Sequence, residues 1–234
     1  MYKGALVSAI VKVEGVTREY HQGNHVVHAL QGVELTVEPG EFTVLMGASG
    51  SGKTTLLNII GGLDTPTAGR ISIEGQDLAT LSAGELSDLR LQRLGFVFQA
   101  YNLLPVLNAF ENTEFPLLMR GVPSAERIDR VNATLKAVGL EGMETRRPSE
   151  LSGGQQQRVA VARAIAADPI LVLADEPTAN LDSKTGTELI EMMRQLNDEH
   201  GVTFIFATHD TKVMNAAKRV ISMEDGRIIS DETR

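Results

Sequence analysis

The first part of the chain has the alternating pattern of β-strands. Apolar and polar residues alternate from 33 to 37, as expected for a strand with one buried face. A turn at Pro39-Gly40 separates this segment from a run at 42–46 that is apolar except for Thr43, which is typical of a strand buried on both faces. We therefore predict that residues 1–46 form a short antiparallel sheet that leads into a buried strand.

Strand-like and helical segments alternate through most of the remaining sequence. Further strands are predicted at 70–74, 94–98, 170–174, 203–207, 219–223 and 227–230, and helices at 54–60, after Ser82 and over 189–196. Ser82 and Glu85 have the spacing of a capping box, and Gly201 ends the last of these helices. The alternation predicts an α/β fold with a mostly parallel sheet covered by helices on both faces.

The segment from 100 to 150 differs from the sequence on either side of it. Strand signals are absent, and apolar residues recur at helical spacing from Ile128 to Val138 before Gly139. We predict that this segment is a helical lobe inserted into a single domain of 234 residues. Residues 1–99 and 151–234 would then form one core.

The composition is that of an ordinary globular domain. The 234 residues are 42% hydrophobic and 22% charged, so the chain can bury a core and is not disordered. Its net charge of −8 argues against nucleic acid or anionic lipid as a partner. The sequence contains no cysteine, which excludes disulfides, thiol catalysis and cysteine-ligated metals.

No segment of the sequence has the pattern of a membrane anchor. The longest uninterrupted apolar run, at 170–174, is far shorter than the roughly 20 residues that span a bilayer. Residues 1–15 lack the basic and apolar blocks of a secretory signal. We therefore expect no direct membrane insertion, and we expect the chain to reach a membrane only through a partner.

One segment matches a phosphate-binding motif. The pattern G-x-x-x-x-G-K-[ST] is fitted by Gly47, Ala48, Ser49, Gly50, Ser51, Gly52, Lys53 and Thr54. Backbone N–H groups of such a loop surround phosphate oxygens, Lys53 would reach the β- and γ-phosphates, and the Thr54 hydroxyl would bind Mg²⁺. An accidental glycine-rich turn is the alternative. The position between a predicted strand and a predicted helix favours nucleotide binding, and Thr55 is included in the predicted site.

Two carboxylates follow the predicted strand at 170–174. Asp175 and Glu176 stand at the carboxyl end of this strand, the edge of a parallel sheet where ligands bind. We predict that Asp175 binds Mg²⁺ and that Glu176 polarises the water that attacks the γ-phosphate. An acidic turn that only ends the strand is the alternative, and the phosphate-binding motif in the same chain favours catalysis.

Between these motifs the sequence reads Leu151-Ser152-Gly153-Gly154-Gln155. With this LSGGQ signature, the chain resembles the ATP-binding-cassette (ABC) ATPases over nearly its whole length. The resemblance implies an α/β P-loop ABC ATPase with a mostly parallel core sheet, an N-terminal antiparallel β-subdomain and an inserted α-helical lobe. It also implies ATP and Mg²⁺ as cofactors, and the hydrolysis of ATP to ADP and phosphate.

The resemblance gives roles to four further residues. Tyr20 takes the place of the aromatic residue that stacks on adenine. Gln99 matches the glutamine that senses Mg²⁺ and the attacking water, Asp182 belongs to the D-loop, and His209 matches the switch histidine that contacts the γ-phosphate. The alternatives for Tyr20 and His209 are ordinary surface residues.

The signature segment also has a physical role of its own. Ser152 and the N–H groups of Gly153 and Gly154, followed by Gln155, open a helix and so form a second anion-binding end. In ABC ATPases this end closes over the ATP held by the other subunit. The resemblance therefore implies a homodimer that encloses two nucleotides between its subunits.

Four segments resemble the LolD and MacB group more closely than a generic ABC cassette, namely 61–67, 94–99, 103–105 and 148–151. This implies an ATPase at the cytoplasmic face of the inner membrane that transmits motion to a partner permease. Because the sequence stops at Arg234, we expect a separate LolD-like subunit, although Gln155 differs from the glutamate of LolD at this position. An FtsE-like regulator that acts through a membrane partner without transport is the alternative.

A dense apolar set follows Gln99 and consists of Leu103, Leu104, Val106, Leu107 and Phe110. In the LolD and MacB group the helical lobe carries the groove for the permease's coupling helix. We hypothesise that some of these five residues line that groove. The alternative is that they form the core of the lobe.

Overall fold

The computed structural model describes residues 9–23 and 25–234. Residues 1–8 lie outside the described residues, although they belong to the predicted N-terminal strand region and to the segment tested for a secretory signal. The strands are β1 Val11–Gln22, β2 His25–Val37, β3 Phe42–Met46, β4 Ala68–Ile73, β5 Gln76–Asp77, β6 Leu94–Val97, β7 Leu171–Asp175, β8 Thr203–Thr208, β9 Arg219–Glu224 and β10 Arg227–Thr233. The α-helices are α1 Lys53–Ile60, α2 Ala83–Arg93, α3 Ala109–Met119, α4 Ser124–Ala137, α5 Gly153–Ile165, α6 Ser183–His200 and α7 Thr211–Ala216.

These strands form two sheets. The larger one has the order β10-β9-β3-β8-β7-β6 and is parallel except for the antiparallel pair of β9 and β10. The smaller one, β2-β1-β4-β5, is antiparallel throughout. The predictions of a mostly parallel core sheet and an N-terminal antiparallel sheet are therefore confirmed.

The larger sheet is covered on both faces, as the strand β8 illustrates. Phe204 and Phe206 belong to the apolar cluster that includes residues of α5 and α6, whereas Ile205 and Ala207 belong to the cluster that includes residues of α1. Successive side chains of a strand point to opposite faces, so β8 contributes to two cores at once. All six of its residues are buried, which explains the continuous apolar run in the sequence.

The predicted helix start after Ser82 and the predicted helix end at Gly201 are confirmed, whereas α6 begins at Ser183 and not near 189. Ser82 accepts a hydrogen bond from the Glu85 N–H and completes a capping box with the Glu85 side chain, so α2 begins at the next residue. Gly201 adopts φ +67° and ends α6.

Two helices, α3 and α4, lie within the segment 100–150. Val131 and Leu135 of α4 are fully buried, and so is Val138 at its end. Ile128 is 45% exposed, so its assignment to the same apolar face is wrong. The buried stripe of α4 is narrower than the run of apolar residues suggests, because only the end of the helix after Ile128 packs into the core. The lobe boundaries at 100 and 150 remain a prediction.

Within the part of the chain that the structure describes, no helix is long and apolar enough to cross a membrane.

Candidate active site

Eleven of the predicted site residues line one cavity at the carboxyl edge of the larger sheet. The strands β3, β7 and β8 are parallel neighbours, so the segments that follow them meet at one end of the sheet. A cavity of about 530 Å³ opens there. It is lined by Tyr20, Val27, His28, Ala29, Ser49, Gly50, Gly52, Lys53, Thr54, Thr55, Gln99, Asp175, Glu176, Ala179 and His209.

The phosphate loop, residues 47–54, links β3 to α1 and depends on its glycines. Gly50 and Gly52 adopt φ +82° and +100°, values that other residues rarely take. A Cβ atom on Gly52 would also approach the Ala29 carbonyl oxygen to 2.6 Å. Gly52 caps α1 without a side-chain hydrogen bond, so the first N–H groups of the helix can bind an anion.

Lys53 places its ammonium group inside this loop. The side chain is buried, and Nζ donates to the carbonyl oxygens of Gly47 at 2.7 Å and of Ala48 at 2.9 Å. The loop therefore holds a fixed positive charge beside its free N–H groups, which is the electrostatic arrangement that phosphate oxygens require. Gly47, Ala48 and Ser51 belong to the loop but do not line the cavity.

Thr54 and Asp175 both line the cavity and contact each other. The Thr54 hydroxyl donates to Asp175 Oδ1 at 3.0 Å, although the two residues are 121 positions apart. Burial raises the pKa of the Asp175 carboxyl and the Glu176 charge adds to this, while the Thr54 hydrogen bond and Lys53 oppose it. A hydroxyl and a carboxylate oxygen are ligands that hard divalent cations prefer. These two residues therefore fit a Mg²⁺ ion, and a cation would relieve the burial of the Asp175 charge.

The Glu176 carboxylate is held by two side chains. Thr208 donates to Oε2 at 2.9 Å, and His209 Nδ1 lies 2.7 Å from Oε1. The Glu176 N–H donates to the Ala207 carbonyl oxygen, and the residue adopts φ +45°. His209 itself is 69% exposed and lines the cavity. The carboxylate therefore has a fixed direction at the edge of the phosphate-binding region.

Tyr20 and Gln99 lie on other walls of the same cavity. The Tyr20 hydroxyl donates to Asp64 Oδ2 at 2.7 Å, and the Arg18 guanidinium stacks on the Tyr20 ring with Cζ 4.6 Å from the centroid. Gln99 is exposed, and its carbonyl oxygen accepts a hydrogen bond from Asn180 Nδ2 at 2.9 Å.

The signature residues are not brought into this cavity. Ser152 caps α5 and forms a capping box with Gln155, and Gly153 and Gly154 begin the helix. Asp182 is likewise outside the cavity lining and caps α6 by accepting hydrogen bonds from the Lys184 and Thr185 N–H groups. The hydrogen bond from the Thr185 hydroxyl lowers the pKa of Asp182.

Sequence reasoning missed three residues that support the site. Thr208 orients Glu176 through a hydrogen bond, and Asp64 does the same for Tyr20. Gln157 is fully buried and donates to the carbonyl oxygen of Pro177, the residue after Glu176. A signal for Thr208 exists in the sequence, because it ends a buried strand directly before His209. No local signal links Asp64 to Tyr20 across 44 residues.

Comparisons with known proteins identify the family to which the chain belongs. A family model described as ABC transporter matches residues 30–179. The macrolide export ATP-binding/permease protein MacB of Brucella melitensis is 47% identical over 225 residues, which cover 96% of this chain and 35% of MacB. An ABC transporter ATP-binding protein of Thermotoga maritima is 46% identical over 96% of each chain. The chain thus spans about a third of the length of the MacB relatives.

Solved structures give the same result for the fold. The ATP-binding cassette MJ0796, in a dimeric post-hydrolysis state bound to ADP and Pi, has a TM-score of 0.88 and 44% identity, covering 95% of this chain and 98% of that one. The cassette cbiO1 of Clostridium perfringens, part of the ABC transporter complex cbiONQ, has a TM-score of 0.86 and 30% identity over 97% of this chain and 89% of that one. The chain therefore belongs to the ABC transporter family and is one of its ATPase cassettes.

Proposed function

We propose that this chain is the energy-coupling ATPase of a membrane complex of the MacB and LolD type. The observation that carries the proposal is the convergence of the phosphate loop, the Thr54–Asp175 pair and the fixed Glu176 carboxylate in one cavity. Each of these groups supplies a different requirement of phosphoryl transfer to water, namely binding, charge neutralisation and activation of the nucleophile.

Binding of the nucleotide would begin with its phosphates and its base. The free N–H groups of the phosphate loop and the Lys53 ammonium would take the β- and γ-phosphate oxygens. The Tyr20 ring would stack on the base, since every base has a π-face. Thr54, Asp175 and Gln99 would hold Mg²⁺, which when bound neutralises the charge that develops on the phosphates.

Hydrolysis requires a base that points at the attacking water. We propose Glu176 for this role, because Thr208 and His209 each contact one of its carboxylate oxygens. These contacts restrict the side chain to one rotamer and keep the carboxylate aligned with the attacking water. His209 is exposed to the cavity and would contact the γ-phosphate while its Nδ1 stays close to Glu176. Thr208 acts behind the carboxylate and orients it.

A second copy of the chain would complete the site. Ser152, Gly153 and Gly154 begin α5 outside the cavity, so their N–H groups can act on a nucleotide only if another subunit presents them. We propose a homodimer in which each signature helix closes over the ATP of the opposite subunit. The dimeric state of the MJ0796 cassette supports this arrangement.

The helical lobe offers an apolar groove for a permease. The groove has a volume of about 390 Å³, and its walls include Phe98, Leu104, Phe115 and Met119. Of the five apolar residues after Gln99, Leu104 lines the groove and Val106 is 72% exposed, whereas Leu103 and Phe110 pack against the core. Leu104 is therefore retained as a proposed groove residue, whereas Leu103 and Phe110 fit the alternative that these residues form the core of the lobe.

The MacB relatives are named for macrolide export, and this chain corresponds to about a third of their length. We propose that the chain works at the cytoplasmic face of the plasma membrane and drives export or extraction through its membrane partner. The choice of substrate would belong to that partner, because the described cavity is committed to the nucleotide.

The active-site assignment is tested by Glu176→Gln and Lys53→Ala. Glu176→Gln should bind ATP normally and lose most of its ATPase activity, and it should accumulate as an ATP-bound dimer in size-exclusion chromatography. Lys53→Ala should weaken ATP binding, because the charge in the phosphate loop is lost. The matched control is Glu191→Gln on the exposed surface of α6, which should behave as the unmodified protein. Normal turnover in Glu176→Gln would remove this residue from its proposed role.

The groove is tested by charge insertion. Leu104→Glu and Met119→Glu should reduce co-purification with the permease, while Ile128→Glu should not, since Ile128 is an equally exposed lobe residue outside the groove. Equal co-purification of all three variants would exclude the groove as the docking site.

A further inference from the structure

The wall of the cavity that carries Tyr20 is a connected group of three residues, which we call the platform triad: Arg18, Tyr20 and Asp64. Asp64 accepts a hydrogen bond from Arg18 Nη2 at 2.7 Å on one carboxylate oxygen and from the Tyr20 hydroxyl at 2.7 Å on the other. Arg18 and Tyr20 are two positions apart on β1 and therefore share one face of the strand. The Arg18 guanidinium covers the Tyr20 ring at 4.6 Å from its centroid.

The triad leaves the Tyr20 ring little freedom. Its hydroxyl is tied to a carboxylate, and a cation occupies one of its two faces. Tyr20 lines the cavity, whereas Arg18 does not. The side chains of Arg18 and Asp64 are only 21% and 23% exposed, which strengthens their ion pair relative to a surface pair.

Asp64 also connects the ring to the phosphate loop. The helix α1 begins at Lys53, and its Asn58 carbonyl oxygen accepts hydrogen bonds from the N–H groups of Leu63 at 2.8 Å and of Asp64 at 3.3 Å. Arg90 fixes the same turn by donating to the Gly62 carbonyl oxygen at 2.7 Å. The turn that carries Asp64 is therefore a rigid extension of the helix that starts at the phosphates.

We propose that Asp64 is a positioning residue for the nucleotide base, which holds the Tyr20 ring at a fixed place relative to the phosphate loop. This inference rests on the proposed function, since it takes Tyr20 as the base platform. A free tyrosine at the end of a hairpin would lose rotamer entropy each time a base stacked on it. The triad removes that cost before the nucleotide arrives, so the stacking free energy appears in the binding constant.

The test uses variants that keep the ring and remove its tether. Tyr20→Phe deletes only the hydroxyl, and Asp64→Asn keeps the shape of the side chain but removes its charge. We expect each variant to raise the Kd for ATP about three- to tenfold. This change in binding free energy is smaller than the stabilisation that a charge-assisted hydrogen bond provides, because only part of it is transmitted to the base. The Kd for tripolyphosphate, which has no base, should remain unchanged, and Asp64→Asn should raise KM for ATP with kcat within about twofold.

Asp77 provides a matched control, because it lies in the antiparallel sheet that also contains Arg18 and Tyr20. Asp77 pairs with Arg70 at 3.0 Å, as Asp64 pairs with Arg18, but it does not line the cavity. Asp77→Asn can still cap the 3₁₀ helix Leu78–Thr80 and should bind ATP with the normal Kd. Combining Tyr20→Phe with Asp64→Asn should weaken binding by less than the product of the two single effects, because both variants weaken the same charge-assisted hydrogen bond.

Tyr20→Ala separates the two levels of the proposal. If Tyr20→Ala leaves the Kd for ATP unchanged, Tyr20 is not the base platform, and the proposed role of Tyr20 fails together with that of Asp64. If Tyr20→Ala weakens ATP binding while Tyr20→Phe and Asp64→Asn bind normally, the platform stands and the positioning role of Asp64 is overturned. A parallel loss of tripolyphosphate affinity also overturns it, because the defect would then lie in the phosphate loop.

Discussion

Gly154 of the signature segment is closely packed against α6. A Cβ atom built on Gly154 would overlap Thr185 Cγ2, whereas Thr185 Cβ would lie at an ordinary 3.8 Å. Thr185 cannot rotate away freely, because its hydroxyl donates to Asp182 Oδ2 at 2.6 Å and so fixes the side-chain rotamer. We therefore predict that Gly154→Ala destabilises the isolated chain through this single methyl group.

The magnitude is the difference between two opposing effects. Alanine in place of glycine within a helix stabilises by about 0.5–1 kcal/mol. An overlap in a packed region costs about 1–3 kcal/mol, which is the larger effect. The net loss should be up to about 2.5 kcal/mol, which lowers the melting temperature by up to about 10 °C for a domain of this size.

Thr185→Ser provides the matched background for the measurement. Serine lacks the Cγ2 methyl group but keeps the hydroxyl that bonds Asp182. In this background Gly154→Ala should become neutral or stabilising by up to about 1 kcal/mol, since only the helix preference remains. Urea denaturation of the four proteins in the cycle, without nucleotide, gives the coupling free energy directly. An increase in stability for Gly154→Ala in the unmodified background would refute the packing argument, and so would an equal effect in both backgrounds.

Three further predictions concern single side chains. Thr208→Val should lower kcat about tenfold or more with an unchanged Kd for ATP, because Glu176 loses the hydroxyl that orients it; a normal kcat in steady-state assays would contradict this. Ser82→Ala should cost about 1 kcal/mol of unfolding free energy in urea titrations, whereas Ser82→Asp, which still caps α2, should cost only a few tenths. The hydrogen bond from Arg219 lowers the pKa of Asp231 in the folded protein. The ionised Asp231 carboxylate therefore adds its full share to the free energy of unfolding above the ordinary aspartate pKa of about 3.9, and this share is lost as pH falls through the lower folded-state pKa. The stability difference from Asp231→Asn, about 1 kcal/mol or less for this 40%-exposed side chain, should therefore shrink below pH 4, and a growing difference would oppose this sign.

The fold could be predicted from the sequence because its signals are local. The strand β8 contains a run of adjacent apolar residues at 204–207, and the Ser82 capping box needs only four residues. Local sequence signals do not predict which of several apolar residues at helical spacing is buried and which is exposed to solvent. Ile128 continues the helical period of α4 yet is exposed, because periodicity gives the direction of a face and not its width.

The site was predictable where its residues follow strands, and it was not where they meet through space. Asp175 ends β7, His209 directly follows β8, and Lys53 follows the loop after β3. Parallel strands bring these ends together. The bond between Tyr20 and Asp64 joins β1 of the smaller sheet to the turn after α1, and no spacing in the sequence encodes it. The apolar residues after Gln99 are divided between core and groove for the same reason, since that division depends on neighbours far along the chain.

The backbone at Glu176 links the fold to the proposed catalysis. A residue with a side chain at φ +45° costs of order 1–3 kcal/mol, and such a conformation persists only where its surroundings enforce it. Here the Glu176 N–H bonds the end of β8 through Ala207, and the carboxylate bonds Thr208, the next residue of the same strand. The end of β8 thus holds both the backbone and the side chain of Glu176. A change that shifts β7 relative to β8 would therefore move the carboxylate, so catalytic alignment depends on the register of the central sheet as much as on the residues that line the cavity.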